Sequence, residues 1–276
     1  MLYSPTMTQE FDHLYLSPHL DDAVLSCGGT IHYQVCAGQR VLVVTFFTAS
    51  PADPAFTPHS RELFARWNRG DDPVAIRRQE DRRALSLLGA EALHLDFLDA
   101  VYRTDAQGSA LYPEKGDIFA PLHPQEEGWS SVLLAAFLRR APVSQEVEIS
   151  APLGAGRHVD HLLIREVALK LLQAGYRVRF YEDYPYTGDA EAVRRGMAPY
   201  PTYCWKNTPQ PLGPADLAAK KEAVACYVSQ ISTFWPDEPE MRRALAEHAW
   251  RVAELYGVSP PAENYWHLDI TCIHEG

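Results

Sequence analysis

DHLYLSPHLDDAVLSCGGTI, residues 12–31, passes from an apolar run into a segment of helical period and carries His19, Asp21 and Asp22 across the change. A strand that runs directly into a helix is the first half of a βαβ unit. The alternation continues with RVLVVTFFT at 40–48, a helical period over 73–89, and ALHLDFL at 92–98. It resumes with a helix over 129–140, EVEISAP at 146–152, a helix over 159–174 and RVRFYEDY at 177–184. Such spacing predicts an α/β fold with a mostly parallel sheet flanked by helices. A proline-rich connection over 185–214 then leads to a helical extension at 215–231 and 238–256 and a final strand, NYWHLDIT, at 264–271. The expected organisation is a single domain over 1–276, with an α/β core over about 12–184 and a C-terminal part over about 185–276.

In open sheets of this kind ligands sit outside the carboxyl ends of the strands. His19 ends the first strand and Asp22 opens the first helix, so the two side chains can face one point at that edge. Zinc and iron(II) accept both ligand types, and a catalytic site needs about three protein ligands with a position left for water. GRHVDHLLI, residues 156–164, sits at a second strand-to-helix boundary and supplies His161 as the natural third ligand. His158 is then free beside the metal, with Asp160 placed to hold its imidazole in one tautomer. The long irregular stretches 49–72 and 99–128 lie at the same edge and are expected as pocket walls. Gly28 and Gly29 interrupt the first helix, which predicts close approach of a neighbouring element.

Whole-chain composition narrows the partners. The 276 residues carry 25 Lys and Arg against 36 Asp and Glu, a net charge of −11, which argues against wholesale nucleic-acid or anionic-membrane binding. The N-terminal residues lack a basic region ahead of an apolar core, and no window approaches the roughly 18–20 apolar residues of a membrane span, so a cytoplasmic protein is expected. Cysteines 27, 36, 204, 226 and 272 form no CxxC pair, and all five are expected to be reduced. His59, His94, His123, His248, His267 and His274 belong to no ligand-like cluster and are expected at the surface or in packing. Neither a Walker-A loop nor a glycine fingerprint follows the first strand, which disfavours nucleotide binding.

PHLDDAVLSCGG followed by HVDH at 158–161 resembles the LmbE/PIG-L family of metal-dependent N-acetylglucosamine deacetylases. The usual first motif there is His-Pro-Asp-Asp-Glu; here Leu20 replaces the proline and Ala23 the glutamate, neither of them a metal ligand. Further marks are RRQEDRRALSLLGA with Arg77, LDFLDA with Asp99, and KKEAVACYVSQ at 220–230. The resemblance implies a Rossmann-like fold and removal of an acetyl group from an amino sugar within a larger conjugate. It implies zinc, or iron(II), on His19, Asp22 and His161, with Asp21 as general base and His158 polarising the amide or stabilising the oxyanion. Arg77 and Asp99 resemble positions that hold sugar hydroxyls. Where relatives often show Thr-x-Gly, TFFTASP stands here, so the wall near Thr48 is expected to differ. An amidase of the same mechanism acting on another N-acylated natural product or thiol conjugate is the alternative. A non-catalytic, metal-containing sugar-binding protein is the reading from a different class.

Overall fold

The apolar runs of the first half become strands, buried on both faces at the centre of the sheet and partly exposed in Glu91–His94 at its edge. In chain order the elements are β1 (His13–Ser17), α1 (Asp22–Cys36), β2 (Val41–Thr45), α2 (Pro58–Trp67), α3 (Pro73–Leu88), β3 (Glu91–His94), α4 (Trp129–Arg140) and β4 (Glu148–Pro152). They continue with α5 (Val159–Gln173), β5 (Arg177–Tyr181), α6 (Ala190–Met197), β6 (Tyr203–Pro211), α7 (Pro214–Ala225), α8 (Val228–Phe234), α9 (Glu238–Leu255) and β7 (Ala262–Ile273). The computed structural model describes residues 11–53, 56–67, 72–187, 190–198 and 203–273, so His274 lies outside the described residues, as does the side chain of Cys272.

The seven strands form one sheet in the order β3-β2-β1-β4-β5-β7-β6. β1 to β5 run parallel, while β7 is antiparallel to both β5 and β6. The chain leaves β1 toward β2 on one side and returns to β4 on the other, so the strand order reverses between β1 and β4. That switch point is where α/β sheets bind ligands, and both strand-to-helix motifs of the sequence flank it. The pleat sorts the side chains. Leu14 and Leu16 pack with Leu133, Phe137 and Ile164 on the α4–α5 face, and Tyr15 packs with Val24, Ile31 and Leu85 on the α1–α3 face. Each of those leucines is fully buried, which stabilises the sheet by about 1.5–3 kcal/mol apiece.

The expected close approach at the helix glycines is present. A Cβ on Gly29 would lie 2.6 Å from Leu212 Cδ1, and one on Gly28 would lie 3.2 Å from Lys220 Cγ. Buried Glu263 accepts from the Gly29 and Thr30 N–H groups at 3.1 and 2.8 Å and from Lys220 Nζ at 2.6 Å, tying α1 to the C-terminal elements. No helix among the described residues is long and apolar enough to cross a membrane.

Several expectations change. Residues 49–72 contain α2, the stretch 185–214 contains α6 and β6, and the single helix expected over 215–231 is two, α7 and α8. β6 reads YCWKNTPQP, and two prolines argue against a central strand; β6 tolerates them because it is the sheet edge. Cys27, Cys36 and Cys226 are free thiols as expected, but Cys204 is disulfide-bonded.

Candidate active site

Beyond β1 the chain turns sharply into α1. Ser17 Oγ donates to His19 O at 2.7 Å and accepts from Ala23 N at 3.1 Å, while His19 N donates to Asp22 Oδ2 at 2.8 Å. Asp21 takes φ 154°, a region non-glycine residues rarely adopt. The two adjacent carboxylates diverge. Asp22 Oδ2 lies 3.1 Å from His19 Nδ1 and 3.3 Å from His161 Nε2, whereas Asp21 Oδ1 lies 3.7 Å from Arg77 Nη2.

The second ring nitrogen of each histidine also meets a buried carboxylate. His161 Nδ1 is 2.6 Å from Asp183 Oδ1, and His19 Nε2 is 2.9 Å from Asp160 Oδ2. A carboxylate offers only acceptors, so without a cation each ring must carry two protons to satisfy both neighbours. Burial opposes that charge, yet Asp22 and Asp183 lift His161 to about 10, and Asp99, Asp160 and Asp22 hold His19 well above the usual imidazole range. Burial likewise opposes ionisation of Asp22, but the two rings, His161 foremost, keep it well below the usual carboxylate range. A divalent ion among the three donors would take the place of those protons. It would leave one N–H on each ring to donate to Asp160 and Asp183, the arrangement that orients metal-ligating histidines elsewhere. The donor set therefore fits zinc or iron(II).

His158 caps the N-terminus of α5, just outside the helix that carries His161. Its ring is 4.9 Å from that of His19 and 5.5 Å from that of His161. Burial, then the nearby His19, hold it well below the usual imidazole range. Its Nδ1 accepts the Asp160 backbone N–H at 3.2 Å, so the neutral ring carries its proton on Nε2. The Asp160 carboxylate, expected on His158, turns instead to His19 and to Arg103 Nη1, 2.5 Å away. Burial drives the Asp21 carboxyl up to about 7, with Arg77 opposing the shift and Asp22 adding to it.

These groups open into a cavity of about 280 Å³. The stretches expected as walls do line it: His59 and Trp67 come from residues 49–72, Lys115 and Phe119 from 99–128. Thr48 is buried and contributes nothing to the lining. A larger, shallow depression of about 540 Å³ on α9, around Arg243 and Trp250, shares no residue with this cavity. Asp99 reaches the cavity edge, with Oδ2 3.6 Å from His19 Nε2 and Oδ1 accepting from Val101 N at 3.2 Å. Arg77, expected on the sugar side, packs its guanidinium 4.6 Å over the Trp67 ring and beside Asp21.

Three residues escaped sequence reasoning. Asp183 follows β5 at the same carboxyl edge, a position that could have flagged it. Gln230 closes the KKEAVACYVSQ stretch; in the amide orientation that satisfies its neighbours, its oxygen accepts from Arg77 Nε at 3.2 Å and Trp67 Nε1 at 3.0 Å. Arg103 lies in an irregular segment with no period to mark it.

Residues 14–172 match the family model described as PIG-L, GlcNAc-PI de-N-acetylase. The chain is 30% identical over 185 residues to a 2'-N-acetylparomamine deacetylase of Niallia circulans, covering 63% of this chain and 66% of that protein. It is also 30% identical over 199 residues to a 2'-N-acetylparomamine deacetylase of Streptomyces fradiae, covering 68% of this chain and 64% of the relative. The chain thus spans just under two thirds of the length of these relatives. The crystal structure of the zinc-inhibited form of a teicoplanin deacetylase superposes with a TM-score of 0.75 at 26% identity, covering 93% of this chain and 97% of that one.

Proposed function

The chain belongs to the GlcNAc-PI de-N-acetylase (PIG-L) family, and from that premise we propose that it is a metal-dependent hydrolase removing the N-acetyl group from an amino-sugar conjugate. The observation that carries this reading is a division of labour between adjacent carboxylates. Asp22 joins His19 and His161 around one point, while Asp21, raised to about 7 by burial against the pull of Arg77, supplies none of the three donors. A base wants a pKa near the working pH, and a merely structural metal site has no use for one.

In this reading His19, Asp22 and His161 hold zinc, with iron(II) accepted by the same donors. A bound divalent ion supplies Lewis acidity and lowers the pKa of water from 15.7 toward about 7. Asp21 takes a proton from the attacking water, and Arg77, 3.7 Å away, keeps the carboxylate aimed. His158, neutral with its proton on Nε2, donates to the oxyanion of the tetrahedral intermediate. Asp21 then returns its proton to the departing amine, and free amine and acetate leave. Asp160 acts behind His19, Asp99 accepts from sugar hydroxyls at the cavity edge, and Trp67 and Phe119 flank the ring.

The test is acetate release from N-acetylglucosaminides with varied aglycones and from longer N-acyl homologues, using enzyme stripped with chelator and reloaded with zinc or iron(II). Metal-dependent acetate release is expected. Cleavage of longer acyl chains alone would move the protein to the amidase alternative. A bound ion with no amide hydrolysis on any member of the panel would refute the enzymatic reading.

A further inference from the structure

Among the described residues, two groups of side chains each bring three metal-compatible donor atoms within 4.8 Å of one another, and both use His19. His19, Asp22 and His161 form one; His19, His158 and Asp160 form the other. On donor chemistry alone either can take a divalent cation. What separates them is the surroundings of the carboxylate.

Asp22 Oδ2 faces two imidazoles. Asp160 is fully buried and has committed both oxygens: Oδ1 accepts from Arg103 Nη1 at 2.5 Å, and Oδ2 accepts from Ala100 N at 3.1 Å and lies 2.9 Å from His19 Nε2. Arg103 is itself only 4% exposed and is held by several partners. It pairs with Glu126, which also accepts from the Tyr112 hydroxyl at 2.6 Å, and it donates to Leu98 O at 3.3 Å. Its Cζ stands 4.9 Å from the Trp129 ring centre and 5.3 Å from that of Phe47. A cation at the second group would meet this immobile buried guanidinium at close range, where charge repulsion is poorly screened.

We propose that Arg103 is a positioning residue that assigns the divalent ion to the His19–Asp22–His161 group. By binding Asp160 it withdraws that carboxylate from metal ligation and converts it into an acceptor for His19 Nε2–H. The same contact orients the ring so that Nδ1, 3.1 Å from Asp22 Oδ2, is the nitrogen left to meet an ion. The inference rests on the reading of the first group as a divalent-ion site. Its sharpest consequence concerns loss of the guanidinium. Without Arg103, Asp160 Oδ1 loses its charged partner while Oδ2 keeps only Ala100 N and His19, which leaves a buried anion beside two histidines as a competing cation site.

Wild type, Arg103→Met and the double variant Arg103→Met/Asp160→Asn are stripped with chelator and dialysed against Zn²⁺ or Co²⁺. Ions per chain are counted by elemental analysis, Kd comes from chelator competition, and the Co²⁺ absorption spectrum reports the ligand geometry. Wild type is expected to bind one ion per chain. Arg103→Met is expected to divide its ion between the two groups, which share His19, to hold it 10–100-fold more weakly, as loss of an orienting partner does, and to show a changed Co²⁺ spectrum. The double variant, which lacks the competing carboxylate, is expected to recover the wild-type Co²⁺ spectrum. One ion in Arg103→Met, with wild-type Kd and spectrum, overturns the inference. If Arg103→Met does not fold, Arg103→Lys replaces it, because lysine keeps the charge and loses the fork; stoichiometry should stay at one with a weaker Kd, and an unchanged Kd overturns the inference. A wild type that binds no ion refutes the metal reading itself, and the wild-type arm alone reveals that.

Discussion

Replacing Asp21 by asparagine should destroy activity and stabilise the metal-free protein. Asp21 is 5% exposed, and the guanidinium of Arg77 at 3.7 Å does not offset the cost of burying its charge. Its carboxyl therefore sits at about 7 in the folded chain against 3.8 when solvated. The sign follows from linkage. Below about pH 3.8 both states are protonated and the group contributes nothing; as pH rises from 3.8 toward 7 the unfolded state ionises while the folded one stays protonated, so stability falls progressively and the loss is complete above 7. At about 1.36 kcal/mol per unit, the penalty above pH 7 is of the order of 2–4 kcal/mol. Asparagine escapes it while keeping the shape. For a chain of this size each kcal/mol moves Tm by roughly 2–4 °C, so Asp21→Asn in chelator should melt several degrees above wild type at pH 8 and level with it near pH 4. In the zinc-loaded enzyme kcat should fall by about 10²–10⁴, the usual worth of general acid–base catalysis, with ion stoichiometry unchanged because Asp21 supplies no converging donor. Near wild-type turnover, or a variant less stable than wild type at pH 8, would refute the assignment.

Asp22→Ala and His161→Ala should each lose the ion together with activity, since two donors remain; wild-type stoichiometry in either would remove that residue from the ligand set. Asp99→Ala should keep its ion and lose kcat/KM on an N-acetylglucosamine conjugate, and unchanged kinetics would take Asp99 out of sugar binding. Burial, aided by the charges of Lys220 and Arg251, pushes His248 down to about 3. A base depressed in this way leaves stability intact above about pH 6.5 and erodes it as pH falls toward 3, by about 2–3 kcal/mol at pH 4.5. Urea melts at pH 7.5 and 4.5 should therefore show a steeper acid loss in wild type than in His248→Gln, and equal slopes would sink the claim.

Sequence reading reached the parallel core and the convergence of His19, Asp22 and His161 for one physical reason: strand-to-helix junctions in a parallel sheet all emerge at one edge. Where a contact depends on which strands are neighbours, the sequence is silent. Asp160 is two residues from His158 and was paired with it on that ground, yet at the start of α5 its carboxylate reaches across to His19, because β4 lies beside β1. That adjacency is a property of the sheet order, and no local spacing encodes it. β6 was missed because prolines obscure a strand whose edge position alone makes them tolerable.

Arg103 is the extreme case. It belongs to an aperiodic segment, its partners Asp160 and Glu126 stand 57 and 23 residues away, and its aromatic collar comes from three separate segments. Arg103 is buried and does not line the active-site cavity, so its effect on chemistry there must pass through what it holds. The residues it holds end at His19, the one side chain common to both candidate ion groups. Charge placed far from the donors in sequence thus selects between two donor sets that composition and spacing leave equivalent.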